Sequence, residues 1–383
     1  MKHIPESRLG FKQLLALLAG FAFCASLADA SGITFTCATG GEDPDTFATG
    51  TCAYLNSAVS ALYGSLFSNA NASVYVSMGG ASPLSGNDTS KGSVTYAQYA
   101  AALAASAAAG GDPIQIAAAA SLGPSGAANA VYGNSRVNIS TALAQALGIS
   151  ADMNLDNGFT ASGSQCSPIG SPGCYNGLIT IANPKDVANA TGNGLYFGSG
   201  DTPSGDYNFY SLVEQQTNEI LGMYSCVGTN SAVLKNACSG SLENLPSADD
   251  LFRYSGPGSI ATVTAAVGRV SDGYAYFSYD GGATNGADGL VYNTSVTGNA
   301  FTTDPSGAFA DFTANCVGGL YSVQDDVACA GTDYSLLSDG GADLNVLDAI
   351  GYEEPMSVPE PGTLFLCGAG IIAVFAYRRA RRA

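Results

Sequence analysis

The chain has 383 residues and contains a single histidine, His3, close to its first residue. It has no tryptophan, and 13 basic residues stand against 31 acidic ones, which gives a formal net charge of −18. Without histidine beyond position 3, the rest of the chain cannot form a Ser-His-Asp or Cys-His catalytic centre. The shortage of lysine and arginine excludes nucleic acid as a partner, because phosphate backbones are bound by basic side chains.

Several common catalytic and metal-binding motifs are also missing. The cysteines form no Cys-x-x-Cys pair, so the sequence indicates neither a zinc ribbon nor a thioredoxin-like site. There is no Gly-x-Ser-x-Gly elbow, P-loop or dinucleotide fingerprint, and the glycine-rich stretches have the composition of loops. A catalytic carboxylate pair, as in glycosidases, stays open among so many acids, but no particular pair stands out.

Residues 1–30 have the pattern of a secretory signal peptide. Lys2, Arg8 and Lys12 precede an apolar run at residues 14–27, and Ala28-Asp29-Ala30 fits the small-residue rule for signal peptidase. The alternative is a helix retained in the membrane. We favour cleavage, because the apolar run is short and ends in a suitable site.

The central part, residues 31–357, is strongly acidic. It carries 28 acidic and six basic residues, a balance near −22. Acidic and asparagine side chains could attract calcium, although we favour solubility of an exported protein as the explanation of an acidic surface. Calcium is therefore one option, and no cofactor is expected.

The cysteines support export to an oxidising compartment. The central part has an even number of them, eight, which fall as four close neighbours in sequence. Sequence alone does not determine their connectivity, and nearest-neighbour pairing is the simplest choice. The expected pairs are Cys37–Cys52, Cys166–Cys174, Cys226–Cys238 and Cys316–Cys329.

Hydrophobic patterns predict an α+β domain with Ala-rich helices, short strands and long Gly/Ser/Asn loops. Helices are expected at residues 51–67, 96–109, 113–122, 207–223 and 344–351. Strands are expected at residues 33–37, 73–78, 178–183 and 275–279, and long loops at 155–175, 189–207 and 280–305.

The C-terminal residues 358–383 have three parts in a fixed order. Pro359-Glu360-Pro361 comes first, an apolar run at residues 363–377 follows, and the arginines Arg378, Arg379, Arg381 and Arg382 close the chain. This order resembles a PEP-CTERM sorting signal, the bacterial tail that an exosortase recognises. The apolar run is shorter than the roughly 20 residues that span a bilayer comfortably, and the arginines would stay cytoplasmic. The alternative is an ordinary tail anchor.

A second resemblance lies in residues 207–223. There Phe209-Tyr210-Ser211 leads into a helix that closes with Ile220-Leu221-Gly222, which is similar to the active-site helix of a bacterial zincin-like metalloprotease family. Matching patches follow at residues 248–255, 279–285 and 347–352. The resemblance implies a zincin-like fold across the central part.

The zincin chemistry does not carry over to this sequence. Zincins bind zinc through His-Glu-x-x-His, with the Glu as general base, whereas the chain has Gln215-Gln216-Thr217-Asn218-Glu219 here. Gln216 cannot accept a proton from water, Gln215 is a poor zinc ligand, and Glu219 is only a weak metal candidate. Ser225, at the spacing of a third metal ligand, does not replace a histidine. The segment is therefore predicted to be a structural helix whose apolar side chains face a core.

The resulting hypothesis is an exported protein, processed by signal peptidase and exosortase, with an inactive zincin-like domain that acts by binding or by its structure. It would pass through the inner membrane as a precursor and reach the cell surface or extracellular matrix of a Gram-negative-type bacterium. An extracellular polysaccharide is an expected partner. The alternative is an active enzyme, either a divergent metallopeptidase that uses Glu219 or another secreted hydrolase.

Overall fold

The structure is a computed structural model of the whole chain, and only part of it is described. That part comprises residues 32–38, 47, 50–79, 84–110, 112–122, 128–129, 131, 133, 135–149, 157–226, 238, 245–256, 259–260, 263–264, 269–270, 276–286, 312, 322–325, 328–337 and 341–355. The predicted signal peptide and the predicted tail lie outside these residues.

The described chain contains both helices and strands, so the mixed α+β class is confirmed. The strands are β1 (Gly32–Cys37), β2 (Asn71–Gly79), β3 (Ser85–Thr89), β4 (Lys91–Thr95), β5 (Arg136–Ser140), β6 (Gly158–Phe159), β7 (Gln165–Cys166), β8 (Gly177–Ala182), β9 (Gly194–Tyr196), β10 (Asp206–Asn208), β11 (Arg253–Gly256), β12 (Ser259–Ile260), β13 (Val263–Thr264), β14 (Arg269–Val270) and β15 (Tyr276–Phe277). The α-helices are α1 (Thr51–Tyr54), α2 (Ser60–Leu66), α3 (Tyr96–Gly110), α4 (Pro113–Ser121), α5 (Thr141–Ala146), α6 (Pro184–Thr191), α7 (Phe209–Leu221) and α8 (Ala342–Ile350). A π-helical stretch, Leu55–Val59, joins α1 to α2, and a 3-10 helix spans Asp249–Phe252.

The main sheet has four strands in the order β1-β2-β8-β3. β1, β2 and β8 are parallel, and β3 is an antiparallel edge strand. Side chains alternate along the first two strands, so that Ile33, Phe35, Val74 and Val76 enter the core while the residues between them face outward. Helix α7 packs against β3 and β8 on the core side.

The edge of β1 is closed by the side chain of Asn56 rather than by another strand. The backbone N–H of Phe35 donates to Asn56 Oδ1 at 2.9 Å, and Asn56 Nδ2 donates to the Phe35 carbonyl at 2.8 Å. This amide satisfies one backbone donor and one backbone acceptor that an edge strand would otherwise present to water or to another chain.

Helix α8 lies in the core next to α4, and the residues after it fasten the end of the described chain. Tyr352 is fully buried, and its hydroxyl donates to the carbonyl of Leu221 at 2.8 Å. The Glu353 backbone pairs with Ser68 and Asn69, and its carboxylate accepts from Ser106. The end of the described chain is thereby tied to the segment between α2 and β2 and to helix α3.

Three disulfides join the predicted cysteine neighbours: Cys37–Cys52, Cys166–Cys174 and Cys226–Cys238. Cys329 is also disulfide-bonded. Its predicted partner, Cys316, lies outside the described residues, so that pairing stays a prediction.

Two of the predicted loops contain regular structure. Residues 155–175 include β6 and β7, and residues 189–207 include the end of α6, β9 and most of β10. These strands are two or three residues long, which is too short for a hydrophobic alternation to reveal them. The loop expected at residues 280–305 lies mostly outside the described residues.

None of the helices in the described part of the chain is long and apolar enough to cross a membrane. The predicted membrane segment, residues 363–377, falls outside that part.

Candidate functional site

Helix α7 carries the positions that the zincin resemblance singles out. It begins at Asn208, whose side-chain oxygen accepts from the backbone N–H groups of Tyr210 and Ser211, as an N-cap residue does. It ends at Gly222, where φ is 134° and a Cβ would meet the Ile350 side chain at 3.1 Å. A larger residue would therefore strain the backbone and crowd α8.

All thirteen residues of α7 are buried, the polar ones included. The sequence predicts an apolar face directed at a core, and its members Leu212, Val213, Thr217, Ile220 and Leu221 are indeed buried. The structure adds that the opposite face is covered as well. Buried polar side chains require hydrogen-bond partners, and those partners define what this site can do.

Gln216 and Glu219 belong to one hydrogen-bond network with Asn87 of β3. Asn87 Nδ2 donates to Gln216 Oε1 at 2.8 Å and to Glu219 Oε2 at 2.6 Å. Gln216 Nε2 donates to Glu219 Oε1 at 3.3 Å, and Thr89 donates to Asn87 Oδ1 at 2.7 Å. Both carboxylate oxygens of Glu219 are thus occupied by amide donors.

Gln215 points to a different part of the fold. Its Nε2 donates to the backbone carbonyl of Asp325 at 2.9 Å. It lines a small pocket between α7 and residues 322–334, which Ser211, Tyr334 and Asp325 also line. Within that wall, Ser211 Oγ donates to the Tyr334 carbonyl at 2.7 Å. Gln215 and Glu219, which stand at the first and second histidine positions of the zincin pattern, therefore form hydrogen bonds with different parts of the fold.

Ser225 lies at the spacing of a third zincin metal ligand, and its hydroxyl also forms a hydrogen bond within the fold. Its hydroxyl donates to Asp250 Oδ1 at 2.5 Å. The other carboxylate oxygen of Asp250 accepts from the backbone N–H groups of Cys226 and Ser247. This arrangement fixes the chain after α7 and does not direct an oxygen towards a metal.

Glu214 is a buried carboxyl group on the same helix. Burial raises the pKa of its carboxyl to about 8, and the hydrogen bond from the backbone N–H of Leu336 opposes that rise. Its backbone carbonyl accepts from the hydroxyl of Tyr63 at 3.1 Å. Sequence reasoning missed Glu214 and Asn87, because no local pattern marks either residue.

The residues at this site do not fit a catalytic zinc ion. Zinc would need nitrogen or carboxylate ligands converging on one point, with a base beside them. Here Gln215 is a hydrogen-bond donor to a carbonyl, and the Glu219 carboxylate is held by Asn87 and Gln216. Among the residues that the structure describes, no group of three or more His, Cys, Asp or Glu side chains is placed to hold a metal ion.

Comparison with protein families identifies the end of the chain. Residues 357–382 match the model of the PEP-CTERM protein-sorting motif. The chain carries a PEP-CTERM sorting signal. This signal implies export, processing by an exosortase and sorting to the bacterial cell surface. The match includes Pro359, Glu360, Pro361 and all four C-terminal arginines.

The comparisons say nothing about the rest of the chain. No curated protein and no solved structure matches it. The zincin resemblance of residues 207–223 therefore has no support from a known relative.

Proposed function

We propose that this PEP-CTERM protein is a surface or matrix protein whose central part, residues 31–357, is a zincin-like domain without a catalytic metal. It acts by binding rather than by hydrolysis. The single observation that carries the proposal is the network of Asn87, Gln216 and Glu219, in which the side chains at the general-base position and at the second histidine position are hydrogen-bonded to each other and to Asn87.

The precursor stage is part of the same proposal. The apolar residues 363–377 would hold the precursor in the inner membrane, with the arginines on the cytoplasmic side. The domain would then lie outside that membrane, where cysteines oxidise. The disulfides of the described domain support this placement.

The proposed binding partner is an extracellular polysaccharide. The acidic balance of the central part argues against nucleic acid and against anionic lipid surfaces, because both repel a negatively charged protein. An uncharged polymer meets no such repulsion. The proposal requires neither zinc nor calcium.

Metal analysis and a peptidase assay on the exported protein test the absence of catalysis. We expect no stoichiometric zinc and no proteolysis of casein that a chelator inhibits. We also expect Gln216→Glu alone to create no activity, because the metal ligands would still be missing.

Proteolytic activity would instead support the alternative, in which the protein is an active enzyme. Chelator-sensitive proteolysis that Glu219→Ala abolishes would show that a carboxylate-based metal site works at α7. Proteolysis that survives Glu219→Ala and chelation would place a hydrolase centre elsewhere in the domain. Either outcome would overturn a purely binding role.

A further inference from the structure

Part of the outer face of the main sheet, on the side away from α7, is exposed to solvent, although Leu178 and Ala182 of β8 are buried on that face. On β1, Thr34 and Thr36 are exposed, while the residues between them are buried. On β2, Ser73, Tyr75 and Ser77 are partly exposed in the same alternation. Thr180 is the partly exposed residue of β8.

The register of the strands brings these side chains together. Thr34 lies beside Ser73, Thr36 beside Tyr75, and Ser77 beside Thr180. Paired residues of neighbouring strands point to the same side, so all six hydroxyl side chains share one surface. We call this surface the hydroxyl face; its members are Thr34, Thr36, Ser73, Tyr75, Ser77 and Thr180. Three strands with these spacings give a patch of roughly 10 by 13 Å.

The hydroxyl face combines an aromatic ring with rotatable donors and acceptors. The Tyr75 ring packs against the Tyr175 ring, with centroids 5.3 Å apart and planes at 41°, so its position is fixed. Ser77 Oγ bonds to the Ile179 carbonyl and to Thr180 Oγ1, at 3.3 and 3.4 Å. A hydroxyl offers one donor and two acceptor sites, so these contacts leave capacity for a ligand.

The charge of the surface limits the chemical classes of ligand that it can bind. None of the six side chains is charged, although the chain as a whole has a net charge of −18. The exposed Asp88 of β3, whose strand partner Leu178 is also the partner of Tyr75, adds one carboxylate at the edge of this face, and it disfavours anionic polymers. Nucleic acid and anionic lipids require lysine or arginine. A protein partner favours an apolar centre with several aromatic residues. A flat surface of hydroxyls around one tyrosine complements an uncharged ligand that is itself rich in hydroxyls.

We propose that the hydroxyl face binds an uncharged polysaccharide. Tyr75 provides the ring against which the C–H face of a sugar packs, and the threonine and serine hydroxyls exchange hydrogen bonds with sugar hydroxyls. The inference rests on the proposed function, and it adds the class of polysaccharide and the place where it binds. The hydroxyl face is separate from the network of Gln216 and Glu219 on the other side of the sheet.

Native gel electrophoresis of the exported protein, with a polysaccharide in the gel, tests this proposal. Dextran, xylan and a mixed-linkage β-glucan serve as uncharged probes, and alginate serves as the anionic control. We expect at least one uncharged probe to retard the protein, and Tyr75→Ala to weaken that binding about tenfold or more. Thr36→Lys, at an exposed position, should also weaken it without leaving a cavity.

Tyr54→Ala is the matched control, because Tyr54 is another partly exposed tyrosine that packs against a second tyrosine, Tyr210, at 4.4 Å. Retention of binding by this variant, with loss in Tyr75→Ala and Thr36→Lys, supports the hydroxyl face. Equal retardation of all variants would overturn the assignment of the site while leaving a polysaccharide-binding function in place. Retardation by alginate alone, or by no probe, would overturn the uncharged polysaccharide as the ligand. If Tyr75→Ala loses binding and also melts at a lower temperature than Tyr54→Ala, its loss of binding could come from destabilisation. The result for Thr36→Lys then decides: lost binding supports the hydroxyl face, and retained binding overturns it.

Discussion

Glu214 is a carboxyl group whose ionisation the fold opposes. Burial raises its pKa to about 8. Below its unfolded pKa, near 4.5, both the folded and the unfolded state hold the proton. As the pH rises towards 8, the unfolded chain loses the proton while the folded chain keeps it, so the free energy of unfolding falls. The stability that the neutral carboxyl permits at acid pH is lost by about pH 8.

Glu214→Gln should therefore raise the free energy of unfolding at pH 8 by roughly 2–4 kcal/mol and change it little at pH 4.5. The amide keeps an acceptor for the Leu336 N–H and never ionises. Urea unfolding at pH 4.5, 6 and 8 measures the effect, and Asp201→Asn, at an exposed position, is the control. An identical pH dependence in Glu214→Gln and the parent protein would contradict the prediction.

Asp348 follows the same rule at another place in the core. Burial first, and then the neighbouring Asp112 carboxyl at the start of α4, together raise its pKa to about 9. Asp348→Asn should stabilise the protein at pH 8 and have little effect near pH 4. Asp343→Asn should destabilise it instead, because the Asp343 carboxylate accepts hydrogen bonds from Ser322 and Val323. If thermal unfolding at pH 8 shows both variants losing stability, the environment assigned to Asp348 is wrong.

The sequence shows which residues occupy α7, but it does not predict the contacts that their side chains make. The spacing of Gln215, Gln216 and Glu219 is visible in one helix, and so is the absence of a histidine. Asn87 is 129 residues away from Gln216 in the chain, and only the packing of β3 against α7 brings them together. The same holds for Tyr63, whose hydroxyl reaches Asn218 across 155 residues.

At the scale of elements, the closed edge of β1 leads to a specific prediction. Asn56→Ala removes the donor and the acceptor that pair with Phe35, so we expect a loss of about 1–2 kcal/mol of stability and a greater tendency to associate. Ser57→Ala is the matched control, since Ser57 is exposed and its hydroxyl donates to the Tyr54 carbonyl three residues earlier rather than to β1. Urea unfolding and light scattering provide the two measurements. Unchanged values for Asn56→Ala would show that the edge does not depend on this side chain.

The disulfides give a second prediction for elements. We expect all eight cysteines of residues 31–357 to be oxidised, with Cys316 joined to Cys329 as the fourth pair. Each short loop should contribute roughly 2–3 kcal/mol in the chain-entropy model. Peptide mapping without a reducing agent identifies the pairs. A free thiol at Cys316, or a different partner for Cys329, would contradict the nearest-neighbour pattern.

Elements with strong local patterns could be predicted, and those defined by distant pairing could not. The strand at residues 33–37, the Ala-rich helix at 96–109 and the helix at 344–351 agree with β1, α3 and α8 within two or three residues. Strand β3 was missed, because its sequence Ser-Gly-Asn-Asp-Thr has no apolar alternation and depends on its pairing with β8. Helix α6 was missed too, because its eight residues contain few apolar side chains and no sustained apolar repeat, although the Asn183 cap and Pro184 at its first position favour a helix start.

At the scale of the whole molecule, the described part of the chain ends close to the sorting signal. Glu353 is the last residue with hydrogen bonds to the fold in the described chain, through Ser68, Asn69 and Ser106. Pro359 follows six residues later. A chain of that length reaches about 20 Å when fully extended. An exosortase that recognises Pro359 would therefore do so within about 20 Å of Glu353.

We predict that the mature surface protein starts after Ala30 and lacks the residues after about Pro361 (a boundary set by the sorting signal and its arginines). Intact-mass measurement of the protein released from the cell surface tests both ends at once. Replacing Pro359, Glu360 and Pro361 together by alanine should leave the tail attached and the protein in the membrane fraction. The control is Glu354→Gln, which changes a charge near the signal but not the motif. A surface protein that retains Arg378 to Ala383 would contradict processing, and it would favour a permanent C-terminal anchor.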